Sequence, residues 1–387
     1  MKRLRVLVVQ NVPHHRRGGM SRMLGFLHDR VEADGHTVEF FAAEELPRRL
    51  GGRLARFAFP LLALKHARAA ARAGRPYDVV NVHEPSSAAL ASFKQLAGNP
   101  FVAVTTHGVE ERGWGIEKED ARLGRVRIRW RKRIAYPLTG LSQCRLGLRR
   151  ADHVFCLNDE DEHYLQDRYH IPAEQVTRLF PAADPAYAAV YPGRDHGAAA
   201  ARLLWFGTWL PRKGTADLAA AFTALVPQFP DLSLDVMGAG TPPEVVRGEF
   251  PEGLRGRIHI VPPGTEAELA TRMLASAVYL IPSLFEGTPQ TMLEAMATGM
   301  PAVATDTCGM KDVIRDGTNG LLVPVRNPTA LAAAVARLLT DPPLRQRLGR
   351  QAHADVAANY TWDKVAEPLR AVYNRVADDR AAKEEAR

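Results

Sequence analysis

The stretch Leu4-Arg5-Val6-Leu7-Val8-Val9 opens the pattern that decides the fold. Such a near-continuous apolar run is typical of a strand that is covered on both faces. A turn-rich loop, residues 13–19, follows, and apolar side chains then recur at helical spacing from Met20 to Val31. Val38-Glu39-Phe40-Phe41 has the composition of a second strand. Strand, loop, helix and strand in this order predict the opening βαβ unit of a doubly wound α/β domain.

The same alternation continues along the chain of 387 residues, a length that favours two domains, or three. Further buried strands are predicted at 79–82, 102–105 and 154–157, and later at 203–206, 232–237, 258–261, 278–281, 301–304 and 320–323. The stretch 182–200 is rich in Pro, Gly and Ala and is predicted to be a linker. We therefore predict two Rossmann-like domains, each a doubly wound parallel sheet, facing across a cleft. Their ranges are 1–185 and 186–361, and a terminal helix, 362–387, is expected to cross back to the first domain.

Composition excludes several classes of protein. The chain is 46% hydrophobic, 24% charged and 7% aromatic, which is typical of a globular protein and argues against disorder. Its three cysteines, Cys144, Cys156 and Cys308, are scattered without metal-ligand spacing, so buried reduced thiols are expected. No signal-peptide pattern and no uninterrupted apolar run of membrane-spanning length is present, and a cytoplasmic location is predicted.

The most informative segment is Ser283 to Gly299, SLFEGTPQTMLEAMATG, which follows a predicted strand. Thr288 suits the N-cap of a helix, Pro289 its first position and Gly299 its end. Backbone N–H groups at such a helix start bind anions, and Gly287, Thr288 and Gln290 would supply them because Pro289 has none.

Glu286 and Glu294 could instead be a pair of hydrolytic carboxylates. If both lay on one helix, eight residues would separate them by about 12 Å along its axis. Paired carboxylates of glycoside hydrolases need roughly 5–9.5 Å, so the spacing argues against hydrolysis. Two glutamates that bind different hydroxyls of one ligand fit the spacing better.

A second cluster, Phe206-Gly207-Thr208-Trp209-Leu210-Pro211-Arg212-Lys213-Gly214, follows the first strand of the second domain. Arg212 offers a bidentate fork and Lys213 a compact charge, a combination suited to a diphosphate. A solvated turn is the alternative interpretation of the pair. Trp114 and Trp209 are expected to pack in the core or at its rim rather than to stack on a sugar.

Together these motifs resemble those of the retaining GT-B glycosyltransferases of family 4, and the resemblance covers essentially the whole chain. It includes the Gly18-Gly19 loop, the Thr106-His107-Gly108 turn, the Lys213-Gly214 turn and the Glu286-to-Glu294 motif with seven residues between. The glutamate motif is specific, whereas the glycine pair and the lone histidine are weak signals. His107 could also be a core histidine, and the glycine pair an ordinary turn at a helix entry.

The resemblance implies a role for each motif. Lys213 and Arg212 would neutralise the diphosphate of a nucleotide-sugar, Glu286 would hold hydroxyls of the sugar, and Glu294 would bind the ribose. The nucleotide would also be contacted by backbone around Gly207, Thr208, Gly287, Thr288, Pro289 and Gln290. His107 would lie near the reacting sugar, and Gly18 and Gly19 would border donor and acceptor. Transfer would retain anomeric configuration, and neither a metal nor another cofactor is expected.

One departure from the family pattern is Thr208, where the family usually has an arginine after the glycine. Arg212 would then have to supply that charge. Two alternative functions therefore stay open: a sugar-nucleotide epimerase of similar fold, and a non-catalytic nucleotide-sugar-binding homologue. An assay of donor turnover with and without acceptor separates them.

The formal net charge of +8 is unevenly distributed. Residues 1–190 hold 30 Lys and Arg against 21 Asp and Glu, whereas residues 191–387 hold 21 against 22. Residues 121–150 contain ten cations and no acid, interleaved with apolar residues such as Trp130. This pattern predicts an anionic or lipid-linked acceptor, or peripheral contact with an anionic membrane at its inner face, and a solvated arginine-rich helix is the alternative. A nucleic-acid partner is not expected, because the basic charge is confined to one half.

Overall fold

The structure is a computed structural model that describes residues 2–14, 19–47, 49, 55–195 and 201–386. The chain divides into two compact units. Unit 1 comprises residues 1–180 together with 362–387, and unit 2 comprises residues 181–361. Sequence position 18, one of the predicted site glycines, lies outside the described residues.

Unit 1 contains six strands, which are β1 (Arg5–Val9), β2 (Thr37–Phe41), β3 (Val79–His83), β4 (Phe101–Thr105), β5 (His153–Cys156) and β6 (Val176–Arg178). Its helices up to residue 180 are α1 (Gly19–Ala33), α2 (Ala55–Arg72), α3 (Ala88–Ser92), α4 (Glu110–Arg122), α5 (Trp130–Tyr136), α6 (Ser142–Arg150) and α7 (Asp159–Tyr169). A π-helical turn, Pro137–Leu141, joins α5 to α6.

Unit 2 contains the strands β7 (Arg202–Phe206), β8 (Ser233–Met237), β9 (Ile258–Val261), β10 (Val278–Ile281), β11 (Ala302–Thr305) and β12 (Leu321–Val323). Its helices are α8 (Pro185–Ala189), α9 (Thr215–Leu225), α10 (Pro243–Gly248), α11 (Glu266–Leu274), α12 (Gln290–Ala297), α13 (Cys308–Val313), α14 (Pro328–Thr340) and α15 (Pro342–Asn359). The last helix, α16 (Trp362–Glu385), belongs to unit 1.

Every pairing between the described strands is parallel, which confirms the predicted fold class. The strands of unit 1 lie in the order β2-β1-β3-β4-β5-β6, and those of unit 2 in the order β12-β11-β10-β7-β8-β9. In each sheet the order reverses at one point, between β1 and β3 and between β7 and β10 respectively. Ligands of doubly wound sheets bind outside the carboxyl ends of the strands at this switch point. The topology therefore directs attention to the loops after β1, β3, β7 and β10.

The strands of both sheets contribute buried apolar residues to the core of their unit. Leu7 and Val80 are fully buried in the core of unit 1, as Leu203 and Val278 are in unit 2. Burial on both faces is why these strands are continuous apolar runs rather than alternating ones.

The predicted linker is partly wrong. Residues 185–189 form α8, whose Tyr187 is fully buried and donates a hydrogen bond of 2.6 Å to Glu266. Arg194 donates to the carbonyl oxygens of Thr298, Ser276 and Met273. Residues 181–195 are thus part of unit 2, because a buried tyrosine and a multiply bonded arginine outweigh the turn-rich composition.

α16 packs on α1 and completes unit 1. Its Tyr373 is fully buried, and Asn81 of β3 donates to the Tyr373 hydroxyl at 3.1 Å. No helix among the described residues is long and apolar enough to span a membrane. The three cysteines are buried and unbridged, as the sequence predicts.

Candidate active site

A cluster of two cations and one carboxylate lies at the switch point of unit 2. Arg212 and Lys213 follow β7, and Glu286 follows β10, the neighbouring strand in the sheet. The Lys213 ammonium forms an ion pair with Glu286 Oε1, and Arg212 Nη1 lies 3.5 Å from Glu286 Oε2. Ser283 donates a hydrogen bond of 3.0 Å to Glu286 Oε1. The structure thus brings together the residues that the two sequence motifs contribute separately.

Gly214 allows the two loops to approach. Its φ of +72° is a left-handed conformation that favours glycine, and a Cβ there would lie 1.9 Å from the Pro282 carbonyl oxygen. The Leu284 amide donates to the carbonyl oxygen of Arg212 at 2.8 Å. A side chain at Gly214 would force the loops apart, so this glycine sets the position of Lys213 against Glu286.

The electrostatics of the cluster favour an ionised Glu286. Only 7% of Glu286 is exposed, and burial by itself raises its pKa. The charges of Lys213 and Arg212 outweigh burial and hold the pKa below its usual range. With Glu286 ionised, the three groups carry a net charge of +1, which attracts an anionic ligand.

The helix after Glu286 begins one residue later than predicted. α12 starts at Gln290, and Pro289, not Thr288, occupies the N-cap position, where it offers no side-chain hydrogen bond. Thr288 is instead enclosed by α13: the Gly309 amide donates to Gly287 O at 2.9 Å, and a Cβ on Gly309 would lie 2.0 Å from Thr288 Oγ1. Packing against α13 thus replaces the cap that the residue type predicts. The end of the helix is as predicted, because Gly299 has a φ of +73° just beyond α12.

The first residue of α12, Gln290, has a polar side chain although it is buried. Gln290 is 8% exposed, and neither its Oε1 nor its Nε2 has a hydrogen-bond partner among the described residues. A buried amide without partners costs free energy that an apolar residue would not. Its side chain is therefore available for hydrogen bonds to a ligand at the helix start.

Glu294 lies in the last turns of α12 and exposes none of its surface. The nearby Tyr279 hydroxyl lies 3.2 Å from Phe206 O and 2.8 Å from the hydroxyl of Thr291, and it ties the end of β7 to α12. Burial, with smaller contributions from Glu294 and Glu286, raises the pKa of Tyr279 well above its usual range. The predicted contact of Glu294 with a ribose stays a prediction.

Gly207 and Thr208 continue β7 toward the site. The Gly207 amide donates to Met237 O at 3.0 Å, and Thr208 is exposed. Trp209 is buried, and its indole N–H donates to Glu249 at 2.8 Å; Trp114 is buried as well. Both tryptophans therefore have the packing role expected of them.

In unit 1, two histidines meet where β3 and β4 end. His107 Nε2 lies 2.8 Å from His83 Nδ1, and the two rings stack with centroids 5.0 Å apart. Burial lowers the pKa of His107 to about 4. Burial, followed by the neighbouring His107 and His28, also places the pKa of His83 well below its usual range. Both imidazoles are therefore neutral at pH 7 and share one hydrogen bond.

His83 and Glu84 are the residues that the sequence reasoning missed. Glu84 is buried, and burial, followed by the charge of Glu110, raises its pKa to about 8. A histidine and a glutamate directly after a buried strand are the signal that could have found them. Gly19, the described member of the glycine pair, is the first residue of α1.

Among the described residues, no three His, Cys, Asp or Glu side chains are grouped as ligands of a metal ion would be.

Two family models match the chain. One described as "Glycosyltransferase Family 4" matches residues 17–187, and one described as "Glycosyl transferases group 1" matches residues 200–341. The D-inositol 3-phosphate glycosyltransferase of Corynebacterium glutamicum (strain R) is 29% identical over 240 residues, which are 57% of this chain and 57% of that protein. The phosphatidyl-myo-inositol mannosyltransferase of Mycolicibacterium smegmatis (strain ATCC 700084 / mc(2)155) is 35% identical over 167 residues, 43% of this chain and 42% of that protein. The matched segments thus span about half the length of these two relatives.

Solved structures resemble the chain over nearly its full length. Sucrose-phosphate synthase from Thermosynechococcus elongatus has a TM-score of 0.76 at 21% identity, covering 97% of this chain and 99% of that one. Anabaena Alr3699/HepE in complex with UDP and glucose has a TM-score of 0.68 at 15% identity, covering 96% of this chain and 100% of that one.

The two parallel sheets and the charged cluster at a switch point, together with these structural matches, define the GT-B class of fold. Within that class, the chain belongs to glycosyltransferase family 4, with a family-4 domain followed by a group 1 domain.

Proposed function

We propose that the protein is a glycosyltransferase that moves a hexosyl group from a nucleotide-diphosphate sugar to an acceptor hydroxyl. The observation that carries the proposal is the contact of Lys213 and Arg212 with the buried Glu286 at the switch point of unit 2. Cations that neutralise a leaving diphosphate stabilise charge that develops in the transition state. The membership of family 4 supports the same reaction.

In this proposal the incoming diphosphate takes over the cations that Glu286 holds in the structure. Lys213 and Arg212 bind the diphosphate, and the ionised Glu286 accepts hydrogen bonds from hydroxyls of the sugar. The backbone of Gly207, Thr208, Gly287, Thr288, Pro289 and Gln290 lines the phosphates, and Glu294 binds the ribose. His107 contributes a neutral imidazole, which hydrogen-bonds the reacting sugar without adding charge.

We propose that transfer retains anomeric configuration and that the departing diphosphate takes the proton of the acceptor hydroxyl. The bond from the anomeric carbon to the diphosphate oxygen breaks, and the bond to the acceptor oxygen forms. Positioning and charge stabilisation then suffice, without a protein nucleophile or a metal. An assay in EDTA against added Mg²⁺ tests the metal, and NMR of the product anomer tests retention.

A donor panel tests the whole proposal. UDP-sugars come first because Alr3699/HepE was solved with UDP and glucose, and GDP-sugars form the second arm. The nucleotide diphosphate released is measured with and without an acceptor mixture, in which inositol phosphates are included because a relative acts on one. Acceptor-dependent release supports transfer. Conversion of the donor sugar without acceptor would identify an epimerase, and binding without turnover a non-catalytic homologue.

We also propose that unit 1 contacts the surface of an anionic membrane or a lipid-linked acceptor. The cations of residues 121–150 support this contact, since several of them are exposed. Co-sedimentation with liposomes tests it, and binding that is insensitive to the content of anionic lipid would contradict it.

A further inference from the structure

Helix α5 presents apolar side chains to solvent instead of to its own unit. None of the residues in Trp130–Tyr136 is buried. Trp130 is 68% exposed, Ile134 58%, and Leu138 in the following π-helical turn 72%. Three large apolar side chains within nine residues, all exposed, form a contiguous segment that is costly to keep in water. We call these three side chains the apolar wedge.

Cations surround the apolar wedge. The segment from Arg122 to Arg133 carries seven of them: Arg122, Arg125, Arg127, Arg129, Arg131, Lys132 and Arg133. Lys132 is paired with Glu117 at 2.6 Å, and the Arg131 guanidinium lies 5.4 Å from the Trp130 ring centroid. Arg122, Arg127, Arg129 and Arg133 form no ion pair with any described residue. These charges are therefore free to act on an external surface.

A cavity of about 490 Å³ opens beside the wedge, between α4 and α5. Its lining residues are Trp114, Lys118, Arg122, Ile128, Arg133 and Pro137. Three cations thus converge on one cavity with an aromatic wall, and the Glu117 carboxylate of α4 is paired with Lys132. The size is that of a small-molecule site. Its chemistry suits a phosphate group, because Arg and Lys bind phosphate oxygens through charge-assisted hydrogen bonds.

The wedge and the cavity fit one occupant. A second copy of this chain would bring the same cations face to face, and like charges across an interface are unfavourable. A water-soluble polyanion would satisfy the cations but would leave Trp130, Ile134 and Leu138 in water. A membrane of anionic phospholipid satisfies both, because aromatic and aliphatic side chains enter the acyl boundary while Arg and Lys meet the headgroups.

We propose that α5 and the following turn insert the apolar wedge into an anionic phospholipid membrane, and that Lys118, Arg122 and Arg133 bind the phosphate of one lipid headgroup. This inference rests on the membrane contact proposed above and names its surface. It does not depend on the transfer reaction.

The first test removes the wedge. The variant W130S/I134S/L138S is compared with F93S/L96S, which removes exposed apolar side chains elsewhere in unit 1. The probe is a phosphatidylcholine vesicle containing about one third phosphatidylglycerol, a content that gives the surface a marked negative potential. The wedge variant is expected to bind roughly 100-fold more weakly, because each lost side chain contributes about 1 kcal/mol at the interface. The control is expected to bind as the parent protein does.

The second test distinguishes the headgroup site from a diffuse charge effect. K118Q/R122Q/R133Q and R127Q/R129Q/R131Q remove the same charge from the same surface, but only the first removes the cavity cations. R272Q/R337Q/R350Q removes three exposed charges from unit 2. On the same vesicles, the cavity variant is expected to lose at least about tenfold more affinity than the second variant, and the unit 2 variant to lose little. Thermal melting checks that each variant remains folded.

The two tests separate the headgroup site, the insertion of the wedge and the membrane contact itself. Equal losses for the two unit 1 charge variants would overturn the headgroup site and leave a diffuse attraction. Unchanged binding of the wedge variant would overturn insertion. If the parent protein fails to bind anionic vesicles, both the inference and the proposed membrane contact fail, whereas donor turnover in solution still reports separately on the proposed transferase.

Discussion

Both sheets place polar side chains at the carboxyl ends of neighbouring strands, but the two groups of side chains differ in charge. Unit 1 has two imidazoles that burial keeps neutral: His83 at the end of β3 and His107 just after β4. After β7 and β10, unit 2 places a carboxylate that two cations keep ionised. The comparison teaches that burial alone does not determine charge at such a site. Glu286 is as buried as many core residues, yet its partners reverse the effect of desolvation on the pKa.

The difference matches the work proposed for each unit. A neutral surface can hydrogen-bond a sugar without competing for a diphosphate, whereas a net positive cluster binds the diphosphate itself. The predictions that follow change one side of this comparison at a time.

The largest effect is expected from Lys213→Ala. The variant removes the cation that pairs with the buried Glu286 and one of the two cations proposed to bind the diphosphate, so kcat should fall roughly 100- to 1,000-fold. Release of nucleotide diphosphate at saturating donor measures it. Arg272→Ala, an exposed cation of unit 2 on α11, is the control. Full activity of the Lys213 variant would refute the diphosphate assignment.

A large loss of stability is expected from Gly214→Ala. The new Cβ meets the Pro282 carbonyl oxygen and the φ of +72° is strained, so the free energy of unfolding should fall by about 3 kcal/mol. Gly248→Ala is the matched control, because nothing lies within 4 Å of its Cβ and its φ is not left-handed. That variant should be unchanged or more stable by up to about 1 kcal/mol. Equal melting temperatures for the two variants would show that the loop approach at Gly214 is not required.

A smaller, selective effect is expected from Glu294→Gln. If Glu294 binds the ribose, loss of its charge weakens donor binding equally in the ground state and in the transition state. The KM for the donor is then expected to rise about tenfold with little change in kcat. Steady-state kinetics over donor concentration measure this split. A fall in kcat at constant KM would place Glu294 in the chemical step instead.

The smallest effect concerns the pH dependence of His107. Its pKa is about 4 in the folded chain against 6.5 without the fold, so between these values the unfolded state binds the proton and the folded state does not. Stability contributed by neutral His107 is therefore complete above pH 6.5 and lost as the pH falls toward 4. In the His107→Gln variant, the melting temperature should therefore fall less between pH 6.5 and 4 than in the parent protein.

An ionisation near pH 6.5 in the kcat/KM profile that disappears in His107→Gln would contradict a neutral His107.

Much of the fold was accessible from the sequence because parallel strands buried on both faces are apolar runs. Val278–Ile281 and Ile258–Val261 were predicted with the bounds that the structure has. The strand Val176–Arg178 was missed, since its short sequence carries one buried residue and gives no periodic signal. α15 was missed as well: its buried Leu344, Leu348, Ala352 and Val356 recur every four positions, but its many polar and charged residues hide this pattern.

The site was predictable where chemistry lies in one contiguous motif and less so where it needs tertiary contact. Glu286 and Lys213 are candidates from their motifs, but their ion pair needs β7 and β10 to be neighbours. His83 lies 24 residues before His107, and only the pairing of β3 with β4 brings the rings together. The start of α12 depends on α13, which residue preferences at Thr288 do not reveal.

The position of α16 affects the order in which the two units complete their folding during synthesis. Unit 2 is made from one continuous stretch, whereas unit 1 places Tyr373 from the last helix against Asn81, nearly three hundred residues earlier. The ribosome releases segments in order, so unit 2 can complete its packing while the core of unit 1 still lacks α16. The half of the protein that is translated first is then completed last.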